Sequence, residues 1–211
     1  MSNFLTRTTA IFRDQRNSFR PSRSERVVFA KLFRRNPLDR PAASLYAEIV
    51  ARARTPVFYE AAAVPDTVDG RFEMISLHAF LVMRRLKAGG ETAQKLSQAL
   101  FDEMFADMDQ SLREIGVGDL SVGKHIKKMA KAFYGRVAAY EAALDGAGET
   151  LEAALRRDHY GTVEAVPDAA VGLLADYVRG ADRQLAAAPL AELMQGKVQF
   201  GPVPTGEKPQ E

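Results

Sequence analysis

Residues 118–124 read GDLSVGK, the G-x-x-x-x-G-K frame of a phosphate-binding loop. That loop needs Ser or Thr in the next position to hold magnesium, and a buried strand before its first glycine. Here His125 follows and a helically spaced stretch precedes, so nucleotide binding is rejected. Asp102, Asp107 and Asp109 are the densest carboxylate cluster and the only base for a metal-dependent enzyme. They do not share one helix face, and no histidine joins them at ligand spacing. Asp66 and Asp69, in VPDTVDG at 64–70, lack a third ligand, and turn formation and helix capping account for both. Of the three histidines, His125 and His159 have no partners at metal spacing, and His78 is expected to be hydrogen-bonded in the core. With no cysteine in 211 residues, a disulfide scaffold, a thiolate zinc site, thioether-linked haem and a thiol nucleophile are excluded. The residues point to no cofactor and no small-molecule substrate.

What remains is surface chemistry. Lys124, Lys127, Lys128 and Lys131 stand at i, i+3, i+4 and i+7, one continuous basic helix face. The acidic residues Asp102, Glu103, Asp107, Asp109 and Glu114 precede them. Two readings stay open: solvated faces that cross-pair, or a docking surface for an anionic partner. The elements beneath these charges are two amphipathic helices. Leu96, Leu100, Met104, Met108, Leu112 and Ile115 form one apolar stripe, widened by Phe101 and Phe105; Ile126, Met129, Phe133, Val137, Tyr140 and Leu144 form the other. The short GVGDLSVG between them predicts an antiparallel hairpin around which the rest is built. Gly116 is expected to close the first helix in the left-handed conformation, and Asp119 or Ser121 to cap the second. Gly118 and Gly123 belong to the turn. Gly135, inside a helical stretch, is expected at a close crossing of helices.

The remaining elements also read as helices, with no convincing strand, so the fold class is all-α: a single helical domain with a basic N-terminal arm. Asp39 is expected to cap a helix that Pro56 ends, with a short helical turn over 57–63 and a loop over 64–70. Residues 71–87 are apolar nearly all round and predict a buried central helix. Thr150 should cap a short helix, residues 167–168 open another, and residues 189–194 add a last turn. Residues 1–23 read as a disordered arm, 24–200 as the domain, and 201–211 as a disordered tail. A basic amphipathic helix is expected from Ser24, of a kind that can lie on a membrane surface. Residues 1–40 carry ten Lys and Arg, Arg34 and Arg35 among them, against three acids; this local +7 leaves the remainder at −5. A basic arm on an acidic body suits an anionic partner such as RNA or a lipid surface. The arm's composition also resembles a transit segment, and a start further in would equally explain it. With no spanning stretch or signal core, a soluble intracellular protein is expected.

Six runs carry a resemblance: LYAEIVARAR (45–54), VPDTVDGRFEM (64–74), LHAFLVMRRL (77–86), FADMDQSLREIGVGDLSVGKHIKKMAKAFYGR (105–136) and, less strictly, ALRRDHYG (154–161) and LADYVRGA (174–181). Over about 45–200 the sequence resembles the ubiquinol–cytochrome c chaperone family, helical assembly factors for the cytochrome b-containing respiratory reductase. The resemblance implies a non-enzymatic chaperone that receives newly synthesised cytochrome b, beside the ribosome and with a small assembly partner in mitochondrial relatives. It implies bacterial cytoplasm, at the inner face of the membrane, or mitochondrial matrix in a eukaryote. An apolar client needs an adaptable surface. The candidate client or partner surface is therefore Met104, Phe105, Met108, Asp109, Arg113, Glu114, Met129 and Phe133. Arg34, Arg35, Lys124, Lys127, Lys128 and Lys131 are the candidate anionic-partner surface. The alternatives are an RNA- or ribosome-binding helical module without a client, and the metal-dependent enzyme on Asp102, Asp107 and Asp109.

Overall fold

A computed structural model of the chain describes residues 36–204. The expected arm, the amphipathic helix from Ser24 with Arg34 and Arg35, and residues 205–211 lie outside the described residues. The described residues from Pro37 onward form one compact unit. The described residues contain eight α-helices and no strand: α1 (Asp39–Ala53), α2 (Val57–Glu60), α3 (Val68–Lys87), α4 (Gly90–Glu114), α5 (Asp119–Leu144), α6 (Leu151–His159), α7 (Asp168–Ala187) and α8 (Leu190–Met194).

The organising element is α3, not the hairpin. It packs against α1, α4, α5, α6, α7 and α8. Every residue from 72 to 82 is buried, including Glu73, Ser76 and His78. A helix with apolar residues on all sides has no solvent face to present, so other helices must surround it. It starts three residues earlier than its apolar pattern does. Thr67, extended at φ −117° and ψ 170°, accepts the Gly70 N–H on Oγ1 at 3.1 Å and caps the helix. Neither aspartate of the loop is the cap: Asp66 pairs with Arg71 at 2.6 Å, and Asp69 lies in the first turn.

Helices α4 and α5 form the expected antiparallel hairpin. The Phe101 ring lies 5.8 Å from Phe133 and 5.4 Å from Tyr134, while Arg113 reaches Asp119 at the tip. Gly116 closes α4 at φ +87°, its N–H donating to the Arg113 carbonyl and that of Val117 to the Leu112 carbonyl, both at 3.0 Å. This is the paired hydrogen bonding that lets a left-handed glycine end a helix. The cap of α5 differs from expectation. Extended Gly118 takes the position with no side-chain bond, Asp119 is already helical, and Arg113 holds its carboxylate. That carboxylate still favours the positive end of the helix dipole. Similarly, Leu38 rather than Asp39 occupies the cap position of α1.

The other elements differ in their bounds. The turn after Pro56 is helical only over Val57–Glu60. Thr150 caps α6, accepting the Ala153 N–H at 3.2 Å. Pro167 and Pro189 precede α7 and α8. Residues 201–204 are irregular, and Val203 packs on the core.

Helix α5 runs unbroken through Gly135, but the close crossing expected there is overturned: Gly135 is exposed, and a Cβ built on it meets nothing within 4 Å. The same open space surrounds Gly118 and Gly123. The close approach is at Gly70, where a Cβ would fall 2.0 Å from the Pro65 carbonyl oxygen. Two alanine variants should therefore move in opposite directions. Gly135→Ala should stabilise the fold by about 0.5–1 kcal/mol through helix propensity. Gly70→Ala should destabilise it by roughly 1–3 kcal/mol, the usual range for overpacking. Denaturant midpoints of the two variants read the difference, and a neutral Gly70→Ala would contradict this packing.

Candidate partner-binding surface

The apolar members of the expected client surface are spent on the fold. Met104 is fully buried, Phe105, Met108 and Phe133 are buried in the same core, and Met129 is half-buried. Four of the five side chains are thus core rather than groove: Met104, Phe105 and Met108 lie on the face of α4 packed against α1, α3 and α5, and Phe133 on the face of α5 packed against α4. Asp109, Arg113 and Glu114 reach solvent, and they hold one another's surroundings in place. Arg113 binds Asp109 at 2.6 Å and bridges to Asp119, which ties the last turn of α4 to the first of α5. Glu114 accepts from Gln110 at 2.8 Å.

The two charged faces of the hairpin do not cross-pair. On α4, Asp102 accepts from Gln98, Asp107 from the Tyr46 hydroxyl at 2.6 Å, and Asp109 from Arg113. The carboxylates of the supposed metal cluster are thus each engaged by a different partner. Among the described residues, no group of three or more His, Asp or Glu is placed to hold a metal ion. Lys124, Lys127, Lys128 and Lys131 are all exposed, and within the described residues no carboxylate lies within salt-bridge reach of any of them. Beside them His125 donates from Nδ1 to the Ser121 carbonyl at 2.9 Å. Residues 119–124 are already helical, so the glycine frame at 118–124 forms no phosphate-cradling loop.

A second polar constellation escaped sequence reasoning. Glu73 of α3 accepts from Arg136 of α5, and the Tyr140 hydroxyl lies 3.4 Å from Nδ1 of buried His159 in α6. The signal was present: Glu73 interrupts an apolar run, and Arg136 sits beside the apolar stripe of α5. Burial pushes the Glu73 carboxyl up to about 7, against the pull of the Arg136 guanidinium. Burial takes the His159 imidazole down to about 3. His78 is the core histidine expected: it donates from Nδ1 to the Met74 carbonyl at 2.7 Å and accepts from the Tyr177 hydroxyl at 2.8 Å. Burial lowers it to about 4. Next to this cluster an open cleft of about 480 Å³ is lined by Ala132, Gly135, Arg136, Ala139, Glu149, Arg157 and Asp158. Its charges are mutually engaged, Arg157 with both Glu149 and Asp158. Nothing in it arranges a nucleophile against a base.

Comparison with known proteins agrees with a binding rather than a catalytic surface. The family model described as ubiquinol-cytochrome C chaperone matches residues 60–200, from the end of α2 through Phe200. The chain belongs to this family. Curated relatives in it are ubiquinol-cytochrome c reductase complex assembly factor 1 of Xenopus laevis, 24% identical over 117 residues, and of mouse, 26% identical over 138 residues. These matches cover 56% and 65% of this chain, and 58% and 46% of the relatives, so the chain spans about half the length of the relatives it matches. The crystal structure of the Cbp3 homolog from Brucella abortus is 40% identical, with a TM-score of 0.70 over 82% of this chain and 97% of that one. The chaperone-family fold thus accounts for the helical domain. The relatives are named as assembly factors, and none as an enzyme.

The buried titrations of this chaperone-family domain set its acid stability. His78 and His159 have folded values below the ordinary 6.5, so the unfolded chain binds protons that the folded one refuses. Their contribution is present above about 6.5 and lost as pH falls. Glu73 is raised, so its contribution runs the other way: complete below about 4.5 and lost as pH rises through about 7. Two protons against one leave a net loss of up to about 1.4 kcal/mol per pH unit on going down from 6.5 to 4.5. Glu73→Gln should remove the opposing proton and steepen the loss to about 2.7 kcal/mol per unit. Urea unfolding at pH 5, 6 and 7 measures both slopes, and equal slopes would show that Glu73 does not titrate in this window.

Proposed function

We propose that the chain is a non-enzymatic assembly chaperone for ubiquinol–cytochrome c reductase, and that its client is newly synthesised cytochrome b. The observation that carries this reading is the family match over residues 60–200. The assembly-factor names of the relatives support the complex. The choice of cytochrome b rests on the resemblance of the 105–136 run. Client contact on the outside of the hairpin falls to Asp109, Arg113 and Glu114, with half-buried Met129 as the adaptable apolar member. Met104, Phe105, Met108 and Phe133 support that surface from below.

The ribosome and a small assembly partner are further proposed contacts. The charge of +7 on residues 1–40, which include Arg34 and Arg35, supports a contact with ribosomal RNA through the arm. The proposed setting is bacterial cytoplasm at the inner face of the membrane, or the matrix in a mitochondrial setting. Deleting the protein should lower assembled ubiquinol–cytochrome c reductase while other respiratory complexes stay near normal, with unassembled cytochrome b degraded. Reduced-minus-oxidised spectra and native gels of a deletion strain measure this. Normal reductase content in that strain would remove the proposal; a reductase defect with stable cytochrome b would remove only the client.

A further inference from the structure

We propose that the outer face of α5, with Lys124, Lys127, Lys128 and Lys131, seats the protein on an anionic membrane surface, and that Ile115 at the hairpin tip enters the interface.

Three observations lead there. The four lysines project opposite the buried side of α5, where Val122, Phe133 and Tyr140 point into the core. All four are exposed and none is engaged by a carboxylate of the described residues, so their charge is available to an outside anion. Lysines left unpaired beside a helix rich in Asp and Glu are not explained by the chain's own packing. The second observation is Ile115, expected to be buried on the apolar stripe of α4 and instead 66% exposed just past the end of that helix, in the turn that leads into α5. An exposed large apolar side chain in the turn leading into a basic helix can enter an interface while the lysines meet the headgroups. Asp109 and Asp119 share Arg113, and Glu114 accepts from neutral Gln110, so the acidic groups nearest the tip leave a net charge of about −2 against the four lysines of the row.

The third observation separates lipid from single-stranded RNA. Binding of single-stranded RNA relies on exposed rings on which bases stack. The outer face of α5 offers none. Phe133 is buried, and Tyr134 is half-buried with its ring stacked on Phe101 at 5.4 Å. No helix among the described residues is long and apolar enough to cross a membrane. An assembly factor for an enzyme that oxidises a lipid-dissolved quinol must still work at a bilayer, and a peripheral contact supplies that. This last point rests on the proposed function; the vesicle measurement below does not.

The test uses the purified full chain and vesicles of phosphatidylcholine alone or with about one-third phosphatidylglycerol. Binding is expected only to the anionic vesicles, and it should fall steeply as salt rises to roughly 0.5 M. Each lysine near an anionic surface is worth about fivefold in affinity, so the Lys124→Gln, Lys127→Gln, Lys128→Gln, Lys131→Gln variant should bind about a hundredfold more weakly or worse. Ile115→Asp should weaken binding severalfold in the presence of all four lysines. Helical content by circular dichroism should be unchanged in both variants, since none of these side chains is buried. Full binding by the quadruple variant would overturn the proposal and assign the contact to the arm. Equal binding to neutral vesicles would overturn it, as would tighter lysine-dependent binding to an RNA oligonucleotide than to the vesicles.

Discussion

The structure depends on one constraint: a helix apolar on every side must be covered on every side. Residues 72–82 of α3 allow no exposed face, so the other helices are arranged around them. The polar groups on that helix then decide which helix goes where. His78 needs a partner beyond its own turn and finds Tyr177 of α7. Glu73 takes Arg136 of α5, and Arg84 at the far end reaches Asp182 of α7 and Asp145 just past α5. Such buried pairs add little net stability, because desolvation offsets most of their attraction. Leaving any one unmade costs far more, and that asymmetry selects one arrangement of helices over others.

The hairpin is the part of the molecule least enclosed by this arrangement. Its apolar stripes meet α1, α3 and each other, which uses up the side chains best suited to an apolar client. What it offers the outside is charge, sorted by helix. Asp102, Asp107 and Asp109 of α4 accept from Gln98, from Tyr46 of α1 and from Arg113, whereas no carboxylate of the described residues reaches the lysines of α5. A pairing across the hairpin would have neutralised both faces. Its absence leaves a surface with direction, acidic and internally satisfied on one helix, basic and open on the other.

Much of this was legible in the sequence because helical periodicity reports burial directly. The apolar run at 71–87 announced a central helix, and the stripes through Met104 and Phe133 announced the hairpin with its closing glycine. Periodicity gives a face, though, and not what lies opposite it. The methionines read equally well as groove and as core, and packing made them core. Gly135 illustrates the same limit. Its cost within a helix asked for a close neighbour, and the neighbour is absent, while Gly70, in a stretch read as loop, meets the Pro65 carbonyl. The caps failed for a related reason. Thr67, Asp66 and Asp69 are all competent to cap, and the choice among them is made by Arg71, which draws Asp66 away. The Glu73–Arg136 pair joins residues 63 positions apart, a distance at which spacing carries no information.

The long reach of these partners has a consequence for how the protein comes into being. Tyr177 lies 99 positions after His78, Asp182 lies 98 after Arg84, and Tyr160, whose hydroxyl bonds the Ala62 carbonyl, lies 98 after that residue. On a chain leaving the ribosome N-terminus first, α3 is therefore exposed well before its cover exists. Contacts of such separation form slowly and only after a costly loop closure. Through that interval the nascent protein carries an uncovered, largely apolar helix, the kind of segment that aggregates or recruits a holding factor. A member of a chaperone family thus passes, during its own synthesis, through a stage in which its central helix lacks its cover.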